Sequence, residues 1–134
     1  MSRNRSYLAL DVGERRIGVA VGDEAVRIAV PLDFIEVDGS ELEKIAKLIV
    51  TEQPDAVVIG YPRNQSGEAT AQTAYVEAFS QQLKDIAPKI VFQDESLTSV
   101  LAEQQLKAGG KPFAKGDIDS QAAALILQDY LEQL

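Results

Sequence analysis

The chain contains no histidine and no cysteine, against 21 Asp+Glu residues, so any side-chain chemistry falls first to carboxylates. Without imidazole, a Ser-His-Asp triad and His-ligated zinc are excluded; without thiol, so are a thiolate nucleophile, a disulfide and a Cys₄ site. Three acids stand out by position. Asp11 directly follows the apolar run Leu8-Ala9-Leu10, Glu95 follows Asp94 just beyond Ile90-Val91-Phe92, and Asp119 opens a late helical stretch. An unpaired charge at the end of an interior strand is costly, and three carboxylates brought together repel one another. A divalent cation relieves both problems. Mg²⁺ takes oxygen ligands and keeps positions open for water and phosphate, and two such ions about 4 Å apart activate water and stabilise the leaving oxygen in phosphodiester hydrolysis.

Each acid also has a plainer role open to it. Asp11 is suited to cap a turn through its own side chain, and Asp94 and Glu95 are suited to a solvated loop. Asp117 and Asp119 both stand where an N-cap or first-turn acid is favoured by the helix dipole. Asp117 is assigned here to capping and Asp119 to the site, although spacing alone barely separates them. The joint reading gains its weight from convergence.

The elements that must position these acids follow from the hydrophobic pattern. Tyr7-Leu8-Ala9-Leu10 and Arg16 to Val21 flank Asp11-Val12-Gly13 and read as a β-hairpin. Val26 to Val37 forms a third strand, with Pro31 marking a bulge or an edge. Ser40-Glu41-Leu42-Glu43 has the form of a capping box and starts a helix carrying Leu42, Ile45, Ala46 and Ile49 on one face. Ala56 to Gly60 is a strand buried on both faces, expected at the sheet centre. A second helix carries Tyr75, Ala78, Phe79, Leu83 and Ile86, and the i,i+4 pair Tyr75 and Phe79 reads as core rather than a base-stacking pair. Ile90-Val91-Phe92 makes a second buried strand, a third helix runs from Thr98 to Lys107, and Ile118, Ala122, Leu125, Ile126 and Leu127 mark a fourth, largely buried one. Ser66, Thr70 and Thr73 read as helix-start residues.

The order is βββαβαβαα. It predicts an α/β fold with a mixed five-stranded sheet: the first three strands antiparallel, the fourth and fifth parallel to the first, flanked by helices. Ligands of such sheets sit beyond the carboxyl ends of the parallel strands, where Asp11, Gly60 and Asp94-Glu95 all fall.

The 134 residues are 46% hydrophobic and 25% charged, a balance expected of one globular domain spanning residues 1–134. The longest apolar run, Ala122 to Leu127, is far short of the roughly 20 residues needed to cross a bilayer, and the apolar residues after Arg5 end at Asp11, too few for a signal-peptide h-region, so a cytoplasmic protein is expected.

Here the residues carry a resemblance. Leu10-Asp11-Val12-Gly13-Glu14-Arg15-Arg16-Ile17-Gly18-Val19-Ala20-Val21-Gly22-Asp23 resembles the opening motif of the YqgF/RuvX family, RNase H-like proteins described as Holliday junction resolvases and pre-16S rRNA nucleases. Gly60-Tyr61-Pro62-Arg63-Asn64-Gln65-Ser66-Gly67, Asp94-Glu95-Ser96-Leu97-Thr98-Ser99 and Ile118-Asp119-Ser120-Gln121-Ala122-Ala123 resemble its later motifs in order and spacing. The resemblance implies an RNase H-like nuclease domain, Asp11, Glu95 and Asp119 as the catalytic and metal-binding acids, and Mg²⁺ or Mn²⁺ as cofactor. It implies an endonuclease acting on the 5′ end of pre-16S rRNA, with ribosome precursors as partners. Where the family has Arg after the Asp-Glu pair, this chain has Ser96, and a hydroxyl cannot make a bidentate phosphate contact.

A net charge of -8 is an awkward start for a nucleic-acid partner, whose affinity draws on cationic contacts. Distribution qualifies the sum. No acid occurs from Gln104 to Gly116, while Lys107, Lys111 and Lys115 recur around Gly109-Gly110 just before Asp119. These lysines, with Arg15, Arg16, Arg63 and Asn64, are the candidate nucleic-acid contacts; the plainer reading is a helix C-cap with exposed lysines and a solvated arginine pair. Three alternatives stand beside the rRNA nuclease: a resolvase of branched DNA, a non-catalytic RNA- or ribosome-binding domain, and an ATPase, because Asp-x-Gly at a hairpin also resembles the phosphate loop of actin- and hexokinase-type proteins. The last needs a second domain for which 134 residues leave no room. A resolvase cutting two strands symmetrically implies a homodimer, whereas a trimming nuclease need not dimerise, so monomer and homodimer both stay open.

Overall fold

The computed structural model describes residues 4–62, 66, 68–95 and 98–134. Strand β1 (Ser6–Val12) shows why the chain needs two hydrophobic layers. Leu8, Leu10 and Val12 point into one core cluster and Tyr7 and Ala9 into another, as the two-residue period of a strand requires. β2 (Arg16–Asp23) and β3 (Val30–Glu36) follow antiparallel, and β4 (Ala56–Pro62) and β5 (Ile90–Glu95) add parallel strands, in the order β3-β2-β1-β4-β5. The mixed five-stranded sheet is thus as expected from sequence. β1 rather than β4 takes the middle, and all of Ala56 to Gly60 is buried beside it.

The first cluster is closed by α1 (Glu41–Glu52), through Ile45, and by α2 (Ala71–Leu83), through Val76, Phe79 and Leu83. Tyr75 packs against the same cluster, so the Tyr75–Phe79 pair is core. The second cluster is closed by α4 (Lys115–Glu132), through Ala123, Ala124, Ile126, Leu127 and Leu131. α3 (Thr98–Ala108) lies against α4, where Gln121 Nε2 donates to Gln105 Oε1 at 2.7 Å.

Some local expectations change. β3 spans 30–36, not 26–37, and Val26 and Ile28 lie outside it, exposed. Pro31 accounts for the irregularity: the register with β2 slips between Val19 and Ala20, leaving Leu32 without a partner, and β3 is a sheet edge. β5 is also an edge strand, and Phe92 is 43% exposed, so it is not buried on both faces. Ser40 does not cap α1 with its side chain; its hydroxyl instead donates to Asp38 at 2.5 Å, while Glu41 accepts from the Gly39 amide. That hydroxyl bond is the main cause of an Asp38 carboxyl held below the usual carboxylate range. α2 stops at Leu83, short of Ile86.

α2 starts with the reciprocal pair that its sequence suggests. The Thr73 amide donates to Thr70 Oγ1, and Thr73 Oγ1 accepts from the Thr70 amide at 2.9 Å. The Thr73 hydroxyl also donates to the carbonyl of Pro62, tying the helix to the end of β4. Thr73 is fully buried. Thr73→Val keeps the shape but strands the part-buried Thr70 amide and Pro62 carbonyl, and is expected to cost about 1 kcal/mol by urea unfolding; a variant within error of wild type would remove the tie.

Candidate active site

The site is built on the α4 face of the sheet, at the end where β1, β4 and β5 finish. Asp11 lies within β1, paired across the ladder with Gly18, rather than in the connecting turn. The turn is carried instead by Gly13, whose amide donates to the Arg16 carbonyl at 3.1 Å. Asp11 continues the alternation of Tyr7 and Ala9 and so belongs to the α4 face. Glu95 is the last residue of β5, in register with Pro62 of β4. Its carboxyl lies over Gly60: a methyl group added there would meet Glu95 Cδ and Oε2 at 3.1 Å.

Asp119 is supplied by α4. The helix begins at Lys115, so Asp119 opens its second turn instead of lying in the first. The earlier start has two causes. Asp117 Oδ2 accepts from the Ala114 amide at 2.8 Å, which is the capping role assigned to it, and Gly116 fits under the Phe34 ring, where a Cβ would come within 2.2 Å. The approach of α4 to the sheet is set by small residues. Gly18, Ala20 and Gly22 alternate along β2 on the α4 side, opposite Ala123 and Ala124 of the helix. At Gly18 the contact is backbone to backbone, since a Cβ would lie 1.8 Å from the Asp119 carbonyl oxygen. This stripe is visible in the sequence as small residues at every second position, a signal not used to place the site.

The three acids share one electrostatic environment. Asp11 keeps some solvent contact as a residue, but its carboxyl is enclosed. Burial, then the charge of Glu95, then that of Asp119, push it well above the usual carboxylate range. Among the described residues no three acids form a ready-made ligand set for one ion. Asp119 is engaged otherwise: Arg16 Nε donates to its Oδ2 at 2.6 Å. The donors themselves fit a hard cation, being all carboxylate oxygen, and a buried acid raised by two neighbouring charges is the electrostatic condition that such a cation relieves.

The basic candidates divide. Arg16 is turned onto Asp119, with 30% of its side chain exposed. Arg15 is exposed in the hairpin turn. Lys107 lies in the last turn of α3 and pairs with Glu103 at 3.2 Å, Lys111 is exposed in the α3–α4 connection, and Lys115 is the first residue of α4, one turn before Asp119. Arg63, Asn64 and Ser96 lie outside the described residues. Among the described residues, no helix is long and apolar enough to cross a membrane.

Known proteins resemble this arrangement along its whole length. A family model described as RuvX, Holliday junction resolvase, matches residues 5–133. A protein of Sulfurihydrogenibium named as a candidate pre-16S rRNA nuclease is 43% identical over 130 residues, covering 95% of this chain and 90% of its own length. One of Shewanella oneidensis with the same name is 41% identical over 133 residues, covering 96% and 94%. Among solved structures, Thermus thermophilus RuvC in complex with a Holliday junction substrate superposes with a TM-score of 0.57 at 14% identity, covering 96% of this chain and 94% of that one. The fowlpox virus resolvase in complex with junction DNA gives 0.53 at 15% identity, covering 96% and 97%. These resolvases share the RNase H-like fold.

Proposed function

The chain belongs to the RuvX family, and from that premise we propose that it is a divalent-metal-dependent endonuclease processing the 5′ end of pre-16S rRNA, with residues 1–134 forming one RNase H-like nuclease domain in the cytoplasm. The observation that carries the reading is the convergence of Asp11, Glu95 and Asp119 on one sheet face, with Asp11 raised by burial and then by the charges of the other two. The names of the relatives supply the substrate.

In this reading Asp11, Glu95 and Asp119 hold Mg²⁺ or Mn²⁺, which supplies an activated water and a counter-charge for the leaving oxygen. The chain's own work is placement. The β1 ladder fixes Asp11, Gly60 leaves room for the Glu95 carboxyl, and the close seat of α4 on Gly18 delivers Asp119. Exposed Arg15, Lys111 and Lys115 meet the backbone phosphates. They concentrate positive charge beside a site whose protein is acidic overall.

A second reading, cleavage of branched DNA, is favoured by the family's description as a Holliday junction resolvase. One assay separates the two: a pre-16S rRNA 5′ leader and a four-way DNA junction offered side by side with Mg²⁺, Mn²⁺ or EDTA. The expected result is metal-dependent cleavage of the leader in preference to the junction. Preferential junction cleavage would establish the second reading, and binding of the leader without cleavage under either metal would make the chain a binding domain.

A further inference from the structure

Arg16 does not behave as a solvated surface cation. Its Nε reaches Asp119 Oδ2 at 2.6 Å across 103 residues of sequence, with the two side chains only 30% and 23% exposed. A charge-assisted bond of that length is among the stronger hydrogen bonds a protein makes. Arg16 opens β2 two residues before Gly18, the ladder partner of Asp11, so it stands on the strand next to one acid while bonded to another.

That placement has an electrostatic consequence. The charges of Glu95 and Asp119 both act on Asp11. A fixed positive charge on Asp119 offsets part of that repulsion in the chain without metal, and the same charge opposes the arrival of a dication at the same carboxylate. We propose that Arg16 is the resident counter-cation of Asp119, competing with the divalent ion for that carboxylate and, once released, turning to the substrate phosphate. The inference rests on the metal-dependent reading above. It makes Arg16 a positioning residue: it orients Asp119 before the metal loads, and it links metal loading to capture of the nucleic acid, because one side chain serves both.

The test is calorimetric titration of Mn²⁺ into the free protein, without nucleic acid, for wild type, Arg16→Met, Asp119→Asn and the double variant. Removing one positive charge a few ångströms from the ion is expected to tighten Mn²⁺ binding about tenfold in Arg16→Met, and to give no gain in the Asp119→Asn background. Arg16→Met is also expected to raise KM for nucleic acid. If Arg16→Met does not fold, Arg16→Gln, which keeps a donor for Asp119 without the charge, carries the same comparison. Unchanged or weaker Mn²⁺ binding by a folded neutral variant overturns the proposal, as does equal tightening with and without Asp119. A wild-type chain that binds no Mn²⁺ overturns the metal-dependent reading and this inference together; one that binds Mn²⁺ indifferently to Arg16 overturns this inference alone.

Discussion

Asp11→Asn is expected to reduce cleavage by roughly a thousandfold or more, a loss of about 4 kcal/mol of transition-state stabilisation, while making the metal-free protein more stable at neutral pH. The two effects run in opposite directions because the same carboxylate is costly to fold and needed for the chemistry. Its carboxyl is raised by burial and by the charges of Glu95 and Asp119. Between the ordinary aspartate pKa of about 3.9 and that raised value, the native chain keeps a proton that the unfolded chain has released, so metal-free stability falls as pH rises through this window. Below about pH 3.9 both states are protonated and the penalty vanishes; above the raised value it is constant. Asparagine has no such window. Thermal melts in EDTA from low to neutral pH should therefore show the variant gaining on wild type as pH rises. Parallel curves would mean that the Asp11 environment is not as described, and undiminished cleavage would remove Asp11 from the site.

The largest structural effect is expected at Gly18. A methyl group there would lie 1.8 Å from the Asp119 carbonyl oxygen, 2.2 Å from its carbon and 2.8 Å from the Ser120 nitrogen. These are backbone atoms of a helix and cannot swing aside, so Gly18→Ala must lift α4 from β2. A cost of about 3 kcal/mol or more is expected by urea unfolding, the range of severe overpacking. Gly60→Ala makes the contrast. Its methyl would meet the end of the Ile126 side chain at 2.6 Å and the Glu95 carboxyl at 3.1 Å, groups that can move, so stability should fall less while cleavage falls through a displaced Glu95. A Gly18→Ala variant as stable as wild type would show that α4 is not seated on the sheet backbone.

Legibility in the sequence followed the range of the forces involved. The element order and the mixed sheet were legible because strand alternation and helical spacing are local, as in Leu8, Leu10 and Val12 against Tyr7 and Ala9. The capping role of Asp117 was legible only on thin grounds, because the bond from the Ala114 amide that establishes it is not displayed by spacing. Edge positions were less legible. Ile90-Val91-Phe92 has the composition of a buried strand, yet nothing local records that, among the described residues, β5 ends the sheet. In the sequence Arg16 stands beside Arg15 as a candidate nucleic-acid contact or a solvated pair, and only the fold brings it to Asp119 from 103 residues away. The small residues at Gly18, Ala20 and Gly22 were in plain view, but their meaning, a helix seated close enough to present an acid, exists only once α4 is in place.

The central claim is that Asp11, Glu95 and Asp119 form one divalent-metal site, and Mn²⁺ titration of wild type beside Asp11→Asn, Glu95→Gln and Asp119→Asn tests it most directly. Saturable binding by wild type, weakened about tenfold or more by each single substitution in a chain that keeps its native circular dichroism, is the expected result. Wild-type Mn²⁺ affinity retained in all three variants would contradict the claim.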